Sequence, residues 1–215
     1  MTDNPRVVVR GEAVAEVPPD AADLVVTVSV RERRREHAVG RLAERQQALD
    51  ALLGGYGAAV ATVSTDTVSV HPELSDGGRA GGHVASTTTR VQLTGTGAAG
   101  ELAVAVAALP DTSLHGPHWR VSRDHPAHQQ TRTEAVADAI TRATAYATAL
   151  GCRLTGLVEV RDVGTGSGGG GVFRAMAVSL PGTPRLDLQP APQEVHGSVE
   201  ITFTMSEPDQ EVFAR

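Results

Sequence analysis

Hydrophobic and polar residues alternate first from Val7 to Val17. Val7, Val9, Gly11, Ala13, Ala15 and Val17 fall on one face, with Arg10, Glu12 and Glu16 on the other. A period of two predicts a strand with one buried side. Pro18-Pro19-Asp20 then predicts a turn, because neither proline can donate to a ladder. A second strand follows, with Leu24, Val26, Val28 and Val30 alternating with Val25, Thr27 and Ser29.

The period then changes. Ala38, Leu42, Leu49, Leu52 and Leu53 form the stripe of a helix over about 35–53, closed by Gly54-Gly55. Residues 60–71 and 83–94 read as strands joined by the turn SDGGRAGG; Ala85, Thr87, Thr89, Val91 and Leu93 share a face of the second. A short helix near 98–109 carries Leu102, Val106 and Leu109. A strand over 115–122 follows, with Trp119 and Val121 alternating against His118, Arg120 and Ser122. Pro126 suits the first position of a helix and makes Asp124 or His125 its N-cap. That helix runs to Leu150 with the stripe Val136, Ile140, Ala143, Ala147 and Leu150, and Gly151 closes it. Val158 and Val160 mark a strand. Residues 163–193, with GTGSGGGG and four prolines, predict an extended arm or long loop. Val195, Val199, Ile201, Phe203 and Met205 mark the final strand.

The order β-β-α-β-β-α-β-α-β-β, with short turns and mostly one-sided strands, predicts an α+β fold. We expect a two-layer, largely antiparallel sheet with helices on one face, in a single domain spanning residues 1–215.

Composition narrows the chemistry. All 19 basic residues are arginine, so lysine Schiff-base, P-loop and Ser-Lys chemistries are absent. With 25 acidic residues the net charge is −6, which disfavours nucleic acid as a partner. The basic run RERRREH, Arg31 to His37, reads as a solvated helix start. The single cysteine, Cys152, forms no intrachain disulfide and follows a helix C-terminus, which raises rather than lowers a thiol pKa. No apolar run reaches the length of a membrane span, and MTDNPRVVV carries no charged-then-apolar leader, so the expected location is cytoplasmic.

Four of the eight histidines lie in HGPHWRVSRDHPAH, residues 115–128. On a fully extended strand His115 and His118 point to opposite faces, and Pro126 interrupts the geometry between His125 and His128. His118, His125 and His128 are the metal-ligand candidates, but the expected set of metal ligands, catalytic residues and cofactors is empty. GTGSGGGG lacks the GK[ST] ending of a phosphate loop, and Ser167 lacks the frame of a nucleophile elbow. Asp20 and Asp23 could pair as carboxylates, though Asp20 fits turn chemistry better.

VVVRGEAVAEVPPDAADLVVTVSV resembles the opening of the SIMPL-domain family, the YggE-like proteins. The matching residues are Gly11, Pro19, Asp20 and Ala22; Ala13 stands at the family's second glycine. TDTVSVHPEL resembles the strand ending in aromatic-Pro-Glu, with His71 for the aromatic and Pro72 matching. HVASTTTRVQL, the alanine-rich EAVADAITRATAYATALGCRLTGLVEV with Gly151, and VFRAMAVSLPGTP follow in family order. The resemblance spans about residues 6–206. It implies an α+β fold without established catalytic residues. Relatives include exported bacterial proteins linked to oxidative-stress tolerance, some forming ring-like oligomers, and an animal signalling adaptor. The expected function is therefore non-enzymatic binding and assembly: a homo-oligomer, with a protein partner also in view. Two alternatives stand beside it. One is a metal- or thiol-dependent enzyme using the 115–128 histidines or Cys152. The other is a small-molecule carrier using a groove between helices and sheet.

Overall fold

The computed structural model describes residues 4–74, 80–163, 167–168 and 186–209. In chain order the elements are β1 (Arg6–Val17), β2 (Ala21–Glu32), α1 (Arg35–Gly54), β3 (Val60–Leu74), β4 (Ala80–Thr94), α2 (Ala99–Ala107), β5 (Thr112–Arg120), α3 (Pro126–Ala149), β6 (Leu154–Asp162), β7 (Ser167–Gly168) and β8 (Gln193–Met205). The fold is α+β and every strand pairing is antiparallel. The strands divide into two sheets, where the local pattern suggested one. Alternation shows that a strand has a buried face but does not name its neighbour.

The chain falls into two compact units and, among the described residues, changes unit between Pro18 and Pro19 and between Arg120 and Val121, with residues 186–191 in the second unit and the chain back in the first from Pro192. The first unit holds β1, α3, β6, β7 and β8. Its sheet has the order β1-β8-β6, with β7 also on β8, and α3 packs on β1 and β8. The second unit holds β2 to β5 with α1 and α2, in the order β3-β4-β2-β5.

In the second unit Leu24, Val26, Val28 and Val30 point from β2 into one core with Ala38, Leu42, Leu49 and Leu53 of α1 and Leu102 and Val106 of α2. Both helices therefore cover the same face. Leu24, Leu49 and Leu102 are fully buried, each contributing about 1.5–3 kcal/mol relative to exposure. The other face carries Asp23, Val25, Thr27 and Ser29, and no helix among the described residues covers it.

In the first unit Val9 of β1 and Val199, Ile201 and Phe203 of β8 pack against Ala135, Ala139 and Ala143. The buried stripe of α3 is Ala127, Thr131, Ala135, Ala139, Ala143 and Ala147, a spacing of four throughout. This corrects the expected stripe, of which only Ala143 and Ala147 are buried; Val136 and Ile140 are 37% and 45% exposed. The cause lies in the sheet. A Cβ on Gly11 would overlap the Ala135 carbonyl oxygen and approach the Ala139 Cβ; one on Gly197 would overlap the Thr131 carbonyl. Glycines on β1 and β8 facing small residues on α3 let the two backbones approach, and a branched side chain would hold them apart.

Candidate functional site

Among the described residues β5 is paired only with β2, at the edge of its sheet. Along that pairing Asp23 stands opposite His118 and Val25 opposite His115, with a register shift between them. Leu24 of β2 thus stands opposite two residues of β5, Gly116 and Pro117, which is a β-bulge. Asp23 and Val25, two apart, share a face of β2, so their partners His118 and His115 share a face as well. Gly116 sits in the bulge at φ +116°, a backbone conformation that favours glycine. A Cβ there would lie 2.9 Å from the Asp23 carbonyl oxygen. The expectation that these histidines point apart is therefore corrected: it assumed an unbroken pleat. The His115 Nδ1 and His118 Nε2 atoms are 2.9 Å apart, with ring centroids separated by 4.8 Å. Both side chains are exposed, on the face that no helix among the described residues covers.

His125 and His128 belong to the other unit. His125 is the N-cap of α3, and its Nδ1 accepts from the Ala127 N–H at 3.2 Å. His128 Nε2 is 3.0 Å from the Ser122 carbonyl and donates to it. The first pair of histidines is brought together; these two are each engaged with backbone around the helix start. Among the described residues no group of three or more His, Cys, Asp or Glu is placed to hold a metal ion.

The remaining candidates have structural settings. Pro19 is buried beside the turn, the Asp20 carbonyl accepts the Gly95 N–H at 2.7 Å, and Ala22 is fully buried in the core. Asp23 is paired with Arg120 Nε at 2.9 Å rather than with Asp20. Pro72 lies on β3, the opposite edge of that sheet, where a missing donor is tolerated. Gly151 ends α3 at φ +65°, tight against Asp209. The half-buried Cys152 thiol donates to the Leu150 carbonyl at 3.5 Å. Residues 31–37 run from the end of β2 into α1, and Arg31 bonds Glu73. Of the arm, Ser167 and Gly168 pair with Val195 and Glu194 of β8. The rest of GTGSGGGG, VFRAMAVSLPGTP and most of SDGGRAGG lie outside the described residues.

Three features escape the local pattern. First, Asp111, at φ +63°, accepts from Arg45 Nε at 2.9 Å and Arg41 Nη2 at 3.1 Å. The Arg45 hydrogen bond, joined by the Arg41 charge, holds its carboxyl below the usual carboxylate range despite partial burial. Second, α2, β5 and residues 186–188 border an apolar groove of about 560 Å³, lined by Val104, Ala108, Leu114, Leu186 and Leu188 among others, with no titratable side chain among the described residues.

The third is an apolar patch in the first unit. Leu157 and Val160 of β6 pair with Phe203 and Ile201, whose side chains lie under α3. Both therefore point to the helix side, yet they are 62% and 52% exposed, because α3 covers β1 and β8 instead. The Glu12 N–H of β1 bonds Asp138 at 3.1 Å, which fixes the flank of α3 turned toward β1. Val136 and Ile140 occupy the opposite flank by helical periodicity, above β6. Four apolar side chains thus border an edge strand with no partner on its outer side among the described residues.

The profile of the SIMPL family, described as a protein of unknown function (DUF541), matches residues 7–203. The chain belongs to the SIMPL family. The matched span opens and closes on residues that face each other across the sheet, Val7 opposite Phe203, so the SIMPL sequence unit is also one that the β1–β8 pairing closes. No curated protein matches the chain. Among solved structures, a protein of unknown function from Galdieria sulphuraria is 15% identical with a TM-score of 0.25, covering 86% of this chain and 83% of that one. The C-terminal domain of the MgtC protein from Mycobacterium tuberculosis is 13% identical with a TM-score of 0.22, covering 48% of this chain and 96% of that domain. At these scores neither bears on the function of this SIMPL protein. No helix among the described residues is long and apolar enough to cross a membrane.

Proposed function

We propose that this SIMPL protein is a non-enzymatic assembly module that associates with copies of itself through β6. The observation that supports this most is the uncovered patch of Leu157, Val160, Val136 and Ile140 beside that edge. Long, apolar edge strands are templates for pairing with another chain, and contiguous apolar patches on a soluble domain mark interaction surfaces. The sequence of β6 suits a second copy. In a two-fold antiparallel pairing centred on Val160, Glu159 of one copy faces Arg161 of the other. Such an isologous contact is self-complementary in charge. In the single chain Arg161 pairs with Glu159 and Glu200 of its own sheet; the same charges would bridge two copies. Oxidative-stress tolerance, which the family resemblance suggests, is the setting in which we place this assembly. Sedimentation velocity across a micromolar concentration series tests the reading. A sedimentation coefficient that rises with concentration supports it, and an unchanging monomer refutes it.

A second reading, a small-molecule carrier, draws on the groove between α2 and β5. Its test is binding of an apolar fluorophore that Val104→Trp, which fills the groove, should abolish.

A further inference from the structure

We propose that His115 and His118 form a two-histidine site for a borderline transition-metal dication of the Cu²⁺, Ni²⁺ or Zn²⁺ class. This stands apart from the assembly reading and rests on the other unit of the chain.

The first argument is distance. A metal bound at about 2.0–2.1 Å by two cis imidazole nitrogens holds them about 2.9 Å apart at a right angle and about 3.3 Å apart at the tetrahedral angle. The His115 Nδ1 and His118 Nε2 atoms are already 2.9 Å apart. In the empty pair one ring nitrogen donates its proton and the other accepts. To bind an ion, the donor ring moves its proton to its other nitrogen, and each ring turns about the side-chain bonds by roughly 35–45° off the N–N line so that the two lone pairs converge on one ion. No net proton change and no redox step is required when both rings are neutral.

The second argument is preorganisation. Both histidines belong to one strand, and both of their Cα atoms are in register with β2. Between them, Gly116 fits closely against the Asp23 carbonyl and Leu24, and Pro117 is buried. The backbone linking the two ligands is therefore anchored, which lowers the entropy lost on chelation. His118 faces Asp23 across the strands, but Arg120 holds that carboxylate at 2.9 Å. The site thus offers two imidazoles, with the remaining positions open to water or to a ligand from solution. Imidazole donors favour Cu²⁺, Ni²⁺ and Zn²⁺ over Ca²⁺ and Mg²⁺, with Cu²⁺ the tightest.

Calorimetric titration of the full, untagged chain with Cu²⁺, Zn²⁺ and Ca²⁺ tests the site. The expected result is one Cu²⁺ per chain, weaker Zn²⁺ and no Ca²⁺. His115→Ala and His118→Ala should each weaken binding by at least about tenfold, while His196→Ala, on the other sheet, leaves it unchanged. Both substitutions are at exposed positions, and equal melting temperatures confirm that the variants fold. Nitrogen-detected NMR with Zn²⁺ should move the His115 Nδ1 and His118 Nε2 signals together. Absence of Cu²⁺ binding, or Cu²⁺ binding undiminished in His115→Ala, overturns the proposal.

Discussion

Gly11 lies so close to Ala135 that a methyl group on the glycine would overlap the alanine's carbonyl oxygen. This contact sets the height of α3 above its sheet, and much of the rest of the first unit follows from it. Gly11→Ala should destabilise the protein by about 1–3 kcal/mol through overpacking, and Gly197→Ala, against Thr131, should do the same. Urea unfolding followed by circular dichroism measures both.

The same contact decides which face of α3 is buried. Ala139→Leu forces a large side chain into the narrowest layer and should cost about 1–3 kcal/mol. The neighbouring Ile140→Gln, at a half-exposed position, should change stability in dilute solution by no more than about 0.5 kcal/mol. A substitution series read only from hydrophobicity predicts the opposite order. Thermal melts of the two variants separate the cases.

The contrast shows what the sequence discloses. The alternation of Leu24, Val26, Val28 and Val30 and the spacing of Leu42, Leu49 and Leu53 are local, and they place β2 and α1 where the structure has them. The face of α3 depends on glycines of β1 and β8, more than a hundred residues away in the case of Gly11, so no window around the helix reveals it. The His115–His118 contact depends on a bulge set by the register with β2. Only the glycine in HGPH hints at it, since glycine within a strand marks bulges. Two sheets replace one because Arg6 pairs with Thr204 while its sequence neighbour β2 pairs elsewhere. The exposure of Leu157 and Val160 likewise reflects where a distant helix stops covering the sheet.

Asp111 gives a pH dependence. Its folded pKa is lowered, chiefly by the Arg45 hydrogen bond, so its contribution is present above the unfolded carboxylate pKa of about 3.9 and is lost as pH falls through the lower folded value. Asp111→Asn keeps a residue that accepts the positive φ and removes the charge. The variant should be less stable than the parent by on the order of 1 kcal/mol at pH 7, and the gap should shrink below pH 4. Urea midpoints at pH 7 and pH 3 give the comparison.

The most direct test of assembly through β6 is sedimentation of the parent chain beside Val160→Lys at the same micromolar concentrations. A charge at the centre of the strand disfavours edge pairing, and the substituted position is itself half-exposed. The account predicts a concentration-dependent oligomer for the parent and a monomer with an unchanged melting temperature for the variant. Identical oligomers in both, or a parent that stays monomeric throughout, would contradict it.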